Sequence, residues 1–183
     1  ETGLVLTELP VSATGRISLD ALAEAITDET VLLSIQFVNS EVGTIQPIHD
    51  IAKVIRKIRT ERKVRDWKVP LYIHVDASQA PLWKMVQVEK LGIDLLTLDG
   101  QKILGPKGVG VLFVRRGVAL GALQLGGGQE HGLRSGTENV PLAGAFALAL
   151  QDAQANEDSN AKRISAVRNF LLQEILKRIL LQF

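Results

Sequence analysis

No cysteine occurs among the 183 residues, which excludes disulfides, thiolate metal sites and a cysteine nucleophile within them. The three histidines, His49, His74 and His131, are too scattered to make a zinc motif. An excess of one charge is missing as well, since 21 Lys and Arg face 20 Asp and Glu for a formal net charge of +1. That balance points neither to a nucleic-acid groove nor to an acidic tail. No window approaches the roughly 20 consecutive apolar residues that cross a bilayer. The N-terminus, Glu1 to Leu6, has neither an initiator Met nor a basic stretch leading into an apolar run. It therefore reads as neither a secretory signal nor a transit peptide, and the chain is expected to start mid-protein. Internal repeats and low-complexity tracts are absent too. The expectation is a soluble, cytoplasmic protein with no metal, no membrane contact and no direct nucleic-acid partner.

With 46% hydrophobic and 22% charged residues, the composition is that of a chain with one ordinary globular core. Segments with a helical period alternate with short β-branched runs. Leu19, Leu22, Ala23 and Ile26 recur at helical spacing behind Ser18, a capping residue, and Val31 to Gln36 then reads as a buried strand. Asn39 to Gly43 forms a polar elbow. Ile48, Ile51, Ile55 and Ile58 mark a second, amphipathic helix with Lys53, Arg56, Lys57 and Arg59 on its outer side. Thr60 to Pro70 reads as a charge-rich surface connection into the strand Leu71 to Val75, so that a helix separates two strands as in a parallel crossover. Asp94 to Leu98 and Val109 to Val114 read as further strands. A helical stretch of small residues follows around Ala143 to Ala149, and Ala161 to Phe183 reads as a long helix whose apolar width exceeds what a lone surface helix needs.

The chemistry-bearing residues fall on loops after strands. His74-Val75-Asp76-Ala77-Ser78-Gln79 closes one strand, and Asp99-Gly100-Gln101-Lys102-Ile103-Leu104-Gly105-Pro106-Lys107-Gly108 follows the next. An amine and a carboxylate at the ends of two neighbouring strands are what pyridoxal phosphate chemistry needs. A Lys can form a Schiff base with the cofactor aldehyde, and an acid can keep the pyridine nitrogen protonated.

Four ordered blocks carry a resemblance: Asn39 to Pro47, His74 to Ala80, Gln101 to Gly110, and Gly126 to Asn139 with its Gly126-Gly127-Gly128-Gln129-Glu130 and Arg134-Ser135-Gly136-Thr137-Glu138-Asn139. In these the chain resembles the cysteine desulfurases of the class V aminotransferase group, over nearly its whole length. The last block looks like the subgroup that supplies sulfur for iron–sulfur clusters and tRNA thiolation. The resemblance implies an α/β fold of the pyridoxal phosphate aminotransferase type (fold type I), a mostly parallel sheet sandwiched by helices. Residues 1–160 would be the central part of the cofactor domain, and 161–183 a helix leading to a C-terminal small domain outside this chain.

The resemblance also implies roles. Lys102 would be the Schiff-base lysine and would shuttle the proton at the substrate α-carbon, since desolvation readily lowers a lysine's pKa. Asp76 would pair with the pyridinium nitrogen and Gln79 would hydrogen-bond the ring hydroxyl oxygen. Thr137 would reach the neighbouring subunit's cofactor phosphate, which implies a homodimer. The implied reaction converts L-cysteine to L-alanine, passes sulfur to a cysteine persulfide, and hands it on to a sulfur-acceptor or iron–sulfur scaffold protein. The persulfide Cys and the substrate-carboxylate Arg would lie after Phe183, and the His stacked on the ring before Glu1. Three positions depart from the family pattern: Ser40 stands where a second Asn is common, and Asp99 and Gln101 stand where a Ser and a His commonly hold the phosphate. A carboxylate at Asp99 repels a phosphate dianion unless it turns away, stays protonated or is bridged by a cation.

Each feature also has an ordinary structural reading. Lys102 could be a solvated turn residue, Asp76 a helix cap, Gly105 to Gly108 a β-turn, and His74 a satisfied residue behind the site. Eight basic residues between Lys53 and Lys68, against Glu61 and Asp66, fit a solvated helix face, and Trp67 and Trp83 fit surface packing. Two other functions stay open: another class V enzyme such as a transaminase or selenocysteine lyase, and a cofactor-less scaffold.

Overall fold

The computed structural model describes residues 3–180. Ser18 opens the first helix, α1 (Leu19–Ala25), by accepting a hydrogen bond at Oγ from Ala21 N at 3.3 Å. That bond satisfies one of the amides a helix start leaves over. β1 (Leu32–Gln36) follows, and α2 (Ile48–Val64) returns the chain to the start of β2 (Tyr72–Asp76). A short helix, α3 (Val88–Leu91), leads to β3 (Leu95–Asp99); β4 (Gly110–Val114) and a 41-residue helix, α4 (Val140–Leu180), complete the order.

The four strands form one sheet in the order β1-β2-β3-β4, parallel across β1, β2 and β3 and antiparallel between β3 and β4. Helical crossovers require parallel neighbours, whereas the shorter β3–β4 loop permits reversal. One face buries Leu33, Ile73, Val75, Leu96 and Leu98 in a single cluster with Leu22 of α1 and Ile48, Ile51 and Ile55 of α2. The spacing of the three isoleucines lines one stripe of α2, and Ile51 and Ile55 are at most 1% exposed. The alternate residues, Ser34, His74, Asp76 and Thr97, project from the opposite face.

Four sequence expectations need adjustment. β1 is not buried throughout, because alternate residues face outward and Leu32 is 48% exposed. The stretch from Thr60 is not a surface connection until past Val64: α2 continues because Arg62 falls on its inward stripe. Arg62 is 3% exposed, and its guanidinium donates to Thr27 O (2.6 Å), Thr30 O (2.9 Å) and Val69 O (3.1 Å). It ties the end of α2 to the segments entering β1 and β2. Burial pushes its pKa down, and the Asp28 carboxylate acts in the other direction. Arg59, expected on the outer side of α2, also turns inward, donating to Leu71 O at 2.7 Å and pairing with Asp94. Lastly, the two helical stretches expected near the C-terminus are one helix, α4. No Gly or Pro follows Gly144 within it, and polar residues such as Asn156, which donates to Asp152 O at 3.0 Å, carry the helix across the gap. The last three residues of the expected 161–183 helix lie outside the described residues.

Replacing Arg62 with Ala leaves three carbonyls without their buried donor, and is expected to cost about 2–4 kcal/mol of stability. Lys57→Ala on the exposed side of α2 is expected to cost less than about 0.5 kcal/mol. Urea unfolding of the two variants checks the contrast.

Candidate active site

The three parallel strands end side by side, and the ladder continues past them: Phe37 N donates to Asp76 O at 2.8 Å and Ala77 N to Thr97 O at 3.0 Å. Each strand end is then closed by an acidic or amide side chain that bonds its own backbone. Asn39 Oδ1 accepts from Glu41 N (2.9 Å) and Val42 N (3.0 Å), Asp76 Oδ1 from Ser78 N (2.9 Å), and Asp99 Oδ1 from Gln101 N (2.9 Å). Such Asx turns bend the chain without help from a second element. Adjacent strands are about 4.8 Å apart, so the residues that follow these turns share one edge, the carboxyl edge where open α/β sheets keep their ligands.

Asp76 is half-buried at that edge, in register with Gln36 on one side and Thr97 on the other. One oxygen is held by Ser78 N; among the described residues Oδ2 takes no hydrogen bond and is available to a ligand. Gln79 is half-buried in the turn after it, where Ala80 N bonds Ala77 O at 2.9 Å. Ser40 is exposed beside Asn39, whose Nδ2 donates to Gln36 Oε1 at 3.0 Å.

Lys102 lies on a single 3-10 turn, Gln101–Ile103, with its side chain exposed while its neighbour Ile103 is 1% exposed in the core. The turn is backed tightly. A Cβ on Gly100 would stand 2.8 Å from Pro106 O and 2.9 Å from Val109 O, and one on Gly105 would stand 3.0 Å from Ala149 Cβ of α4. Only glycine fits at Gly100 without moving backbone. Leu104, next in the chain, is held at φ 62° although its side chain is 85% exposed, a conformation that costs an L-residue energy. Gln101 is exposed on the turn, and Asp99, being bonded to Gln101 N, is turned into the loop by at least one oxygen.

The structure thus brings Ser40, Asp76, Gln79, Asp99, Gln101 and Lys102 to one edge. Thr137 is not joined to them: it is exposed on the segment before α4, after a loop closed on itself by Ser135 Oγ to Leu125 O (3.0 Å) and Gly136 N to Gln129 Oε1 (3.2 Å). Sequence reasoning missed Ser34 and Thr97. Ser34 Oγ lies 2.8 Å from His74 Nδ1, and His74 Nε2 lies 3.3 Å from Thr97 Oγ1. The signal for them is the strand register, which no single segment carries. Burial pushes the His74 pKa down, outweighing the pull of the Asp76 carboxylate. Among the described residues no group of three or more His, Asp or Glu side chains could hold a metal ion, and no helix is long and apolar enough to cross a membrane.

A mostly parallel sheet flanked by helices, with a lysine turn and a neighbouring carboxylate at its carboxyl edge, defines an α/β protein of the open-sheet kind, in which strand ends are the usual place for a ligand. The chain belongs to the aminotransferase class V family, whose model matches residues 1–182. It is 40% identical over 169 residues to cysteine desulfurase IscS 1 of Archaeoglobus fulgidus, covering 92% of this chain and 41% of that protein. Among solved structures, a NifS-like protein superposes with a TM-score of 0.86 at 35% identity, covering 96% of this chain and 46% of the other. SspA in complex with cysteine superposes with a TM-score of 0.70 at 39% identity over 81% and 40% of the two chains. The chain therefore spans well under two thirds of the length of these relatives.

His74 gives a signed pH dependence. Above its ordinary value of 6.5 neither the folded nor the unfolded form is protonated there. As the pH falls below that value the unfolded chain takes up the proton first, so stability is lost until the lower folded pKa is passed. Urea midpoints at neutral and mildly acidic pH should fall more steeply for the parent protein than for His74→Gln. At the lysine turn, Leu104→Gly should raise stability by up to about 1 kcal/mol, relief of the left-handed strain exceeding the entropy lost with glycine. Chemical unfolding reads this directly, and a loss of stability would show that Leu104 is not strained.

Proposed function

We propose that this chain forms the central part of the cofactor domain of a pyridoxal phosphate-dependent cysteine desulfurase. The observation that carries the reading is the placement of Asp76 and Lys102 at the carboxyl ends of adjacent parallel strands, each on a turn fixed by its own backbone bonds. The residues present fit the group: an amine exposed on a braced turn, a half-buried carboxylate with one oxygen available, and polar side chains on the same and neighbouring turns.

When bound, the cofactor supplies a carbonyl for covalent attachment and an electron-poor ring that takes up charge from the substrate α-carbon. The protein's part is to hold and to move protons. Lys102 Nζ would hold the cofactor, and the same amine would take and return a proton at the substrate α-carbon. Asp76 would keep a proton on the ring nitrogen, because an anion beside a protonated pyridine favours its charged form. Gln79 would donate to the ring oxygen from the turn after β2, with Ser40 on the turn after β1. Gln101 would donate to the phosphate group. Asp99 closes the Lys102 turn instead of holding phosphate, and its bond to Gln101 N supports that role.

Thr137 completes the phosphate site of a second copy in a homodimer, a role consistent with its exposure. Residues 161–183 lead to a small domain. The substrate is L-cysteine, which a structural neighbour, SspA, holds in its complex. The product is L-alanine, and the sulfur passes as a persulfide to an acceptor or iron–sulfur scaffold protein in the cytoplasm.

Purified full-length protein mixed with pyridoxal phosphate should turn yellow. Borohydride should abolish the colour and add the reduced cofactor's mass to the peptide bearing Lys102, and Lys102→Ala should lose both signals together with alanine formation from cysteine. A protein that stays colourless and takes up no cofactor would be the scaffold, and would overturn this reading.

A further inference from the structure

We propose that His74 is a positioning residue for Asp76, held by a hydrogen-bond chain that runs from Ser34 through His74 to Thr97 across three parallel strands. The proposal rests on the reading of Asp76 as the partner of the cofactor's ring nitrogen, and it names the device that keeps that carboxylate's charge available.

The chain is a product of register. Ser34 pairs with His74, and Thr97 pairs with Asp76, so the imidazole lies across the sheet one alternate position behind the ligand edge. Its two nitrogens meet two hydroxyls, at 2.8 Å and 3.3 Å. A hydroxyl donates as readily as it accepts, so a neutral ring, with one N–H and one lone pair, is satisfied at both ends in a single tautomer. The charged and titratable groups that flank it are few. Tyr72 and Asp76 share its strand and face; β1 offers Leu32, Ser34 and Gln36, none of them ionisable, and β3 offers Leu95, Thr97 and, further along, Asp99. Asp76, two residues away, is the nearer of the two carboxylates that these strands turn to the face of His74.

The consequence is electrostatic. A cationic imidazole would draw the Asp76 carboxylate's charge back towards the sheet and weaken its hold on a protonated ring nitrogen, as any second cation sharing one anion does. A neutral imidazole leaves that charge directed outward, with Asp76 Oδ1 fixed by Ser78 N and Oδ2 at the ligand edge. Burial of the ring favours the neutral form.

The test uses the full-length protein. In the cofactor-free form, nitrogen NMR of labelled histidine should show His74 neutral and in one tautomer at neutral pH, with the two tautomers mixed in Ser34→Ala. With pyridoxal phosphate added, His74→Phe should lower cofactor affinity about tenfold, the weight of the hydrogen bonds to Ser34 and Thr97 that a phenyl ring cannot make. His74→Asn, which keeps a donor and an acceptor, should recover most of it. Acidification should weaken cofactor binding and alter the visible band of the parent protein, and this pH response should vanish in His74→Phe. Ser34→Ala changes an exposed hydroxyl, so it keeps the test open if the Phe variant does not fold. Asp76→Asn separates the two failures: unchanged affinity there would sink the cofactor reading of Asp76 and this proposal with it. A loss in Asp76→Asn alongside parental affinity and pH response in His74→Phe and Ser34→Ala, or a protonated His74 at neutral pH, would overturn the proposal alone.

Discussion

Everything at the ligand edge depends on three side chains that bend the chain back on itself where parallel strands stop. Asn39, Asp76 and Asp99 each accept a hydrogen bond from an amide two residues further on. A strand that ends on such a turn needs no packing partner to decide where the next residue goes. The edge is consequently defined by local bonds on a sheet whose spacing is fixed by its ladder. That is how groups far apart in sequence, Ser40, Gln79 and Lys102, come to lie along one edge.

The same kind of turn holds the acid at Asp99. One oxygen of its carboxylate is occupied by the amide of Gln101. The negative charge is drawn towards the backbone of the turn that presents Lys102. Behind that turn, Gly100 and Gly105 allow Pro106, Val109 and Ala149 to approach within about van der Waals contact, so α4 and the β3–β4 loop brace the lysine from below. Rigidity at the Lys102 turn comes from packing on one side and an Asx bond on the other.

The two faces of the sheet divide the work. Isoleucines of α2 cover one face and give the fold its core, with Arg62 fastening the end of that helix to three carbonyls. The opposite face carries Ser34, His74 and Thr97 among aliphatic side chains such as Leu95. Alternation along a strand makes both possible at once, since neighbouring residues point to opposite sides. Ile73 and Val75 stabilise the core while His74 and Asp76, one step away each, face the other side of the sheet.

Much of this was legible in the residues themselves. Periodicity located every strand to within one residue and the starts of α1 and α2, because burial on one face leaves a pattern in the chain. The Asp76 and Lys102 loops stood out because their residue types carry chemistry. The inward turn of Arg59 and Arg62 was hidden by their charge, since a basic residue on a helix reads as solvated until carbonyls are found to receive it. The continuity of α4 was hidden by a polar stretch that a helix tolerates on its surface. The Ser34, His74 and Thr97 chain was invisible, for its members are 40 and 23 residues apart. Sequence alone determined which segments are strands, where they stop and which polar side chains follow them, because those are local matters of side-chain type and spacing. Tertiary structure decided which strand lies beside which and in what register, because pairing energy is set by non-local contacts, and only that register brings a serine, a histidine and a threonine into one line behind the acid.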